Sequence, residues 1–135
     1  MAVTQFGLSP HTDAGFTTLL ADNEIGGLEI RPAGTYWIPV PSVPGSFLVN
    51  SGDILKRWTN DRFHSTEHRV LNRSERDRYA IPFFFDPRTD VVVECLPACH
   101  GPGNSPRHPP VAYGEYLGWF MRRNYHGADD AEERP

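Results

Sequence analysis

Glycine and proline divide this chain into short apolar segments. Together they make up 25 of its 135 residues, a larger share than the roughly 12% of an average protein. They lie between the apolar runs instead of forming one low-complexity tract, as in Gly26-Gly27 and Pro44-Gly45. Such spacing favours many short strands joined by tight turns. The candidate strands are residues 17–21, 28–31, 36–40, 46–50, 53–58, 66–71, 78–85 and 91–95.

One segment near the C-terminus has helical periodicity. Between residues 112 and 125, apolar side chains recur at i, i+3, i+4 and i+7, and two arginines stand near the end of the segment. Residues 127–135 carry four acidic side chains and no large apolar one, so we expect a disordered acidic tail there. Residues 1–126 are expected to form one domain, because a chain of this length can bury a core of its own.

The composition argues against several classes of partner. The formal net charge is -4, and the 13 basic residues are scattered, so the basic patch of a nucleic-acid-binding protein is missing. No window holds the ~18 apolar residues of a membrane span, and the N-terminus has no signal-peptide pattern. The two cysteines, Cys95 and Cys99, are too few for a disulfide framework. We expect a cytoplasmic protein with reduced thiols that binds neither nucleic acid nor membranes.

A histidine and an aspartate stand two residues apart near the start of the chain, and a second histidine follows much later. In extended backbone, His11 and Asp13 project from the same face, so both can contact one ion. His68 lies in an alternating segment and shares with Val70 a face that should point inward. Two imidazoles and one carboxylate are the ligands of a facial iron(II) site. We therefore predict a metal site made by His11, Asp13 and His68.

Each of these residues also has an ordinary structural explanation. Residues 9–15 are rich in turn formers, so His11 and Asp13 could simply belong to a turn. His68 could be a core histidine that hydrogen-bonds a backbone carbonyl. Both explanations stay open on the sequence alone.

An arginine begins the longest apolar strand candidate. Alternation places four side chains on one face of this strand, those of Arg78, Ala80, Pro82 and Phe84. A guanidinium beside so apolar a strand needs an anionic partner, and its fork suits a carboxylate. The partner is either the far end of a dicarboxylate bound at the metal or a neighbouring acid, Asp77 or Glu75. Phe84 is a candidate substrate contact, with core packing as the alternative.

Several segments, taken in order, resemble one known family. They are His11-Thr12-Asp13, Thr17-Thr18-Leu19-Leu20 with Gly26-Gly27-Leu28-Glu29, Val49-Asn50-Ser51-Gly52-Asp53, Trp58-Thr59-Asn60 and Ser65-Thr66-Glu67-His68-Arg69-Val70. They are similar to the catalytic half of the isopenicillin N synthase-like branch of iron(II)- and 2-oxoglutarate-dependent dioxygenases. The resemblance implies a mainly β fold, a double-stranded β-helix or jelly roll, with one C-terminal α-helix.

The resemblance also implies the chemistry. His11, Asp13 and His68 would hold Fe(II), and Arg78 would bind the distal carboxylate of the cosubstrate 2-oxoglutarate. Three protein ligands leave three positions for the 2-oxoacid and O2. The expected reaction oxidises or hydroxylates a small organic substrate and releases succinate and CO2, with ascorbate as a candidate reductant.

Two departures from the family pattern affect this expectation. The family has Arg-x-Ser where this chain has Ala80, and losing a hydrogen bond to a charged group weakens binding about ten- to a hundredfold. Family members are also around twice as long, so the jelly roll is expected to lack its leading strands. An incomplete sheet exposes strand edges and apolar surface. We therefore expect a homo-oligomer, or a partner chain that completes the β-sheet.

Three other interpretations of the sequence stay open. The chain could be a truncated, non-catalytic metal-binding jelly roll. It could also be an iron oxidase that does not use 2-oxoglutarate, similar to isopenicillin N synthase itself. Finally, Cys95, Cys99, His100 and His108 could form a zinc site, although their spacing is irregular.

Overall fold

The strands of this protein form two main antiparallel sheets in the computed structural model, which describes residues 6–125. The first sheet has the order β1-β6-β3-β4 and consists of β1 (Leu8–His11), β3 (Leu28–Arg31), β4 (Ile38–Pro39) and β6 (Glu67–Val70). The second has the order β5-β2-β7 and consists of β2 (Thr17–Asp22), β5 (Leu48–Ser51) and β7 (Ala80–Phe85). The tail predicted at residues 127–135 lies outside the described residues.

The remaining elements lie beside these sheets. They are α1 (Asp53–Trp58), β8 (Val92–Val93), a short 3-10 turn (Pro97–Cys99), β9 (Val111–Ala112) and α2 (Tyr113–Tyr125). Strands β8 and β9 pair with each other as a separate two-stranded sheet. Neither helix of the described part of the chain is long and apolar enough to cross a membrane.

The two main sheets face each other across a cavity of about 520 Å³. Its walls come from alternate residues of both sheets, as strand periodicity requires. Leu20, Leu48 and Pro82 line it from the second sheet, and Ile30 and Val70 from the first. The predicted inward face of His68 and Val70 is therefore confirmed.

The main buried apolar cluster lies outside this cavity, where α1, β8, β9 and α2 pack together. It consists of Ile54, Val93, Val111, Tyr113, Tyr116 and Trp119. Of these, Ile54 and Tyr116 are completely buried. The cluster shares no residue with the cavity, so the space between the sheets stays open.

One predicted strand is wrong, because residues 53–58 form helix α1. Helix geometry brings Ile54 and Trp58 to the same face, where both contact the apolar cluster. Asp53 stands in the first turn, while Lys56 and Arg57 stand in the last. This order of charge complements the helix dipole. The apolar residues at 54 and 58 have the i, i+4 spacing of a helix, which the strand prediction overlooked in so short a segment.

The other predicted elements agree with the structure, with differences in length. Residues 36–40 and 91–95 shorten to the two-residue strands β4 and β8. The predicted helix at 112–125 corresponds to α2. Strand β1 is not among the predicted strands, although the metal-site prediction requires extended backbone at its end.

The start of α1 is bound to the loop that follows β1. The amide of Asp53 donates to the carbonyl of Asp13 at 2.8 Å, and the amide of Ile54 donates to that of Gly15 at 3.0 Å. Backbone groups that a helix leaves unsatisfied at its N-terminus thus find partners in the loop. A side chain at Gly52 would obstruct this contact, since a Cβ there would lie 2.2 Å from the carbonyl oxygen of Gly15.

We predict that Gly52→Ala lowers the free energy of unfolding by about 1–3 kcal/mol, because the added methyl must push α1 away from the loop. Urea denaturation followed by circular dichroism measures the change. Gly26→Ala is the matched control, because a Cβ at Gly26 meets no atom within 4 Å. Equal stability of both variants and the wild type would contradict the close contact.

Candidate metal centre

His11, Asp13 and His68 come together at one end of the cavity. His11 ends β1 and pairs in register with His68 on β6, and their ring centroids are 4.2 Å apart. Asp13 lies in the loop after β1, and its Oδ1 atom is 3.7 Å from Nε2 of His11 and 3.5 Å from Nε2 of His68. One ligand atom from each residue lies within 4.8 Å of the others, so the group could hold a metal ion.

Both imidazoles are oriented by backbone carbonyls. Nδ1 of His11 is 2.7 Å from the carbonyl oxygen of Ser9, and Nδ1 of His68 is 3.1 Å from that of Thr66. These hydrogen bonds assign the proton of each neutral ring to Nδ1. The Nε2 atom of each ring lies near Oδ1 of Asp13. The backbone bond expected of a core histidine is therefore present at His68, but it leaves the other ring nitrogen available as a ligand.

Asp13 is buried, with 8% of its surface exposed, and its two oxygens have different surroundings. Oδ2 accepts hydrogen bonds from the hydroxyl of Thr18 at 2.5 Å and from the side-chain amide of Asn50 at 2.8 Å. Oδ1 faces the two histidines. Sequence reasoning placed Thr18 and Asn50 in recognisable motifs but gave neither a role, because a contact between β2, β5 and the β1 loop leaves no local signal.

Arg78 lines the same cavity, near the start of β7. Its Nε atom is buried and has no hydrogen-bond partner within residues 6–125. Within the same described range, Arg78 forms no ion pair with Asp77 or Glu75, the two neighbouring acids that the sequence offered as partners. The pKa of nearby Asp22 is lowered, chiefly by a hydrogen bond from the Ser42 hydroxyl and only to a lesser extent by the charge of Arg78. Arg78 therefore has a donor available for an added carboxylate.

Ala80 and Phe84 lie on the same cavity wall as Arg78, as strand alternation predicted. Phe84 is 55% exposed, so core packing does not explain it. Its ring borders the cavity near Thr18, with which it pairs in register. The aromatic ring is therefore placed at the end of the cavity that holds His11, Asp13 and His68.

The alternative zinc site is not formed by the residues that the structure describes. His108 instead contacts Asp61, with 2.7 Å between Nε2 and Oδ1. Cys99 is buried near the guanidinium of Arg62. In the part of the chain between residues 6 and 125, the cluster suited to a metal is the one made by His11, Asp13 and His68.

Two nitrogen donors and one carboxylate oxygen fit a non-haem iron(II) ion, and they leave further coordination positions free. The unsatisfied guanidinium nitrogen of Arg78 in the same cavity fits the far carboxylate of a chelating dicarboxylate. The cavity thus has ligand atoms for a metal ion and a hydrogen-bond donor for an anionic group.

Comparison with known proteins agrees with this chemistry. Residues 3–87 match the family model of the 2OG-Fe(II) oxygenase superfamily. The chain is 41% identical over 125 residues to a 2-oxoglutarate-Fe(II) type oxidoreductase of Emericella nidulans, covering 91% of this chain and 36% of that protein. The chain belongs to the 2OG-Fe(II) oxygenase superfamily, and it spans about a third of the length of the curated relatives it matches.

Solved structures show the same architecture. The dioxygenase for auxin oxidation in rice superimposes with a TM-score of 0.80 at 34% identity, covering 89% of this chain and 42% of that one. JOX2 in complex with 2OG, Fe and JA gives a TM-score of 0.78 at 35% identity, covering 84% of this chain and 34% of that one. The mainly β, double-stranded β-helix fold predicted from the sequence is thereby confirmed.

We predict that His68→Ala weakens binding of Mn(II), an air-stable substitute for Fe(II), by more than the roughly 10–100-fold expected for loss of an outer-sphere partner. Isothermal titration calorimetry measures the affinity. His64→Ala is the matched control, since this exposed histidine lies outside the cluster. Equal affinities of the two variants would exclude His68 as a ligand.

Proposed function

We propose that this chain carries the iron- and cosubstrate-binding part of an Fe(II)- and 2-oxoglutarate-dependent oxygenase that oxidises or hydroxylates a small organic molecule. The observation that carries the proposal is one cavity with a His-Asp-His cluster at one end and a guanidinium with an unsatisfied buried nitrogen. An ion at the cluster and the guanidinium of Arg78 would contact opposite ends of one dicarboxylate bound in this space.

In this proposal each residue has a separate task. His11, Asp13 and His68 bind the ion, which when present supplies the activation of O2. Arg78 binds and orients the distal carboxylate of 2-oxoglutarate. Phe84 contacts the substrate, and the apolar walls of the cavity limit the access of water. Ascorbate is the proposed reductant that keeps the iron in its Fe(II) state.

Anaerobic absorption spectroscopy tests the first part of this function. Addition of Fe(II) and then 2-oxoglutarate is expected to produce the weak visible charge-transfer band of the chelate. Bound iron without this band would favour a 2-oxoglutarate-independent oxidase or a non-catalytic module. After admission of air, release of succinate without added substrate would show a working oxygenase, whereas bound iron without succinate would favour the oxidase or the non-catalytic module.

We predict that Ala80→Ser strengthens binding of 2-oxoglutarate about ten- to a hundredfold, because a hydroxyl on the Arg78 face adds a hydrogen bond to a charged group. Titration of the chelate band measures the change. Ala21→Ser is the control, since Ala21 lies on the neighbouring strand and does not line the cavity. Unchanged affinity of Ala80→Ser would place the distal carboxylate elsewhere.

We also propose that the second sheet is completed by another polypeptide, and specifically by a second copy of this chain. Strand β7 pairs with β2 along one edge, and within residues 6–125 nothing pairs along the other. On the face of β7 that does not line the cavity, three apolar side chains are exposed, those of Ile81 (73%), Phe83 (61%) and Phe85 (59%). Unpaired strand edges beside apolar surface favour association.

The free edge of β7 suits a symmetric contact. The carbonyl of Tyr79 accepts a hydrogen bond from the amide of Asn23, directly after β2. Backbone groups of successive residues in an antiparallel strand point to opposite edges, so those of Ala80, Pro82 and Phe84 point to the free edge. Pro82 has no amide proton to donate. Antiparallel pairing centred on Pro82 would still let Ala80 of one copy exchange hydrogen bonds with Phe84 of the other. Such a contact is self-complementary, as a twofold dimer requires.

Sedimentation velocity tests the dimer. We expect the wild type to sediment as a dimer and Phe83→Lys to shift toward the monomer, because a charge on the shared apolar face is costly to bury. Tyr36→Lys is the control, since Tyr36 is an exposed aromatic residue outside the second sheet. A wild type that stays monomeric at all concentrations would reject the second copy as the occupant.

Residues 1–126 are proposed to act as one domain, working in the cytoplasm. Support for this location comes from the two cysteines, Cys95 and Cys99, which are both free thiols, as is usual in a reducing compartment.

A further inference from the structure

We propose that Thr18 and Asn50 are positioning residues that restrict Asp13 to binding a metal through one oxygen, Oδ1. This inference rests on the proposed function, because it takes His11, Asp13 and His68 as the metal ligands. It adds a role for two residues that would not touch the ion themselves. It also concerns the number of positions that the protein leaves open on the ion.

The contacts of Asp13 are unequal in a specific way. Oδ2 accepts two hydrogen bonds, at 2.5 Å from Thr18 and at 2.8 Å from Asn50. Oδ1 is the oxygen nearer the Nε2 atoms of both histidines, at 3.5 and 3.7 Å. Thr18, like Asp13, is buried. The carboxylate is therefore held by one oxygen and presents the other to the cluster.

A carboxylate that is free to rotate can coordinate a metal with one oxygen or with both. If Oδ2 of Asp13 turned toward the ion, the hydroxyl of Thr18 and the amide of Asn50 would lose their acceptor. A buried donor without a partner is unfavourable by about 1–3 kcal/mol. The two hydrogen bonds thus favour one-oxygen binding, which leaves about three positions of a six-coordinate ion free instead of two.

The two donors belong to the sheet opposite β1. Thr18 on β2 and Asn50 on β5 are register partners, and Thr18 pairs on its other side with Phe84 on β7. This row of three side chains crosses the second sheet, and all three line the cavity. Asp13 follows β1 of the first sheet. The same row therefore bonds Asp13 and carries the aromatic residue Phe84 as the register partner of Thr18.

Thr18→Val and Asn50→Leu test the inference, because each removes a donor while keeping a similar side-chain shape. Titration with Mn(II) gives the affinity, and water-proton relaxation of the Mn(II) complex gives the number of water molecules on the ion. We expect each variant to lose about 10–100-fold in affinity, or to keep the ion with about two bound waters where the wild type has about three.

Two control variants separate positioning from general damage to β2. Thr18→Ser keeps the hydroxyl and is expected to retain the wild-type affinity and hydration. Thr17→Val makes the same substitution one residue away, where the side chain does not line the cavity, and is also expected to behave as the wild type. If Thr18→Val unfolds by circular dichroism, Asn50→Leu and Thr18→Ser decide the question.

Each outcome has a clear meaning. Wild-type affinity and hydration in both Thr18→Val and Asn50→Leu would overturn the inference while leaving the metal site intact. An equal loss in Thr17→Val would overturn it as well, because the effect would then belong to the strand. A wild type that binds no Mn(II) would overturn the proposed metal site, and this inference with it.

Discussion

Asp13 forms hydrogen bonds with β2, β5 and helix α1. Its side chain accepts hydrogen bonds from two strands of the second sheet, while its backbone carbonyl accepts the first amide of helix α1. The loop that carries it follows a strand of the first sheet. One residue thus connects both sheets and the helix that packs against the apolar cluster. Burial of a carboxylate is costly without such partners, so the packing of these elements offsets the cost of burying Asp13.

The main apolar core and the candidate site occupy different parts of the fold. The large buried side chains, such as Ile54 and Tyr116, lie between the helices and the β8–β9 pair. The space between the two main sheets is left as a cavity with polar groups at its ends. Filling that space with apolar side chains would add burial but would remove room for ligands. The structure therefore obtains its main apolar core from the two helices and the β8–β9 pair, and it keeps the inner faces of the sheets available.

Much of this arrangement was predictable from the sequence, and the failures have physical causes. Alternation placed Arg78, Ala80, Pro82 and Phe84 on one face, because a strand has a fixed period of two. Residue chemistry and extended backbone also predicted that His11, Asp13 and His68 come together as a candidate metal site, as they do in the structure. The strand predicted at 53–58 was wrong because so short a segment cannot distinguish the strand period from the helix period. Thr18 and Asn50 were missed because their contact with Asp13 joins three elements that are distant along the chain.

Two hydrogen bonds connect helix α2 to the candidate metal site, although Tyr116 and Asp13 lie far apart along the chain. The hydroxyl of Tyr116 donates to Oδ2 of Asp53 at 2.6 Å, and the amide of Asp53 donates to the carbonyl of Asp13 at 2.8 Å. A disturbance of the C-terminal helix would therefore reach a candidate metal ligand through two hydrogen bonds. By the same connection, occupancy of the cluster should slow the local opening of α2, in which Tyr116 stands 103 positions after Asp13.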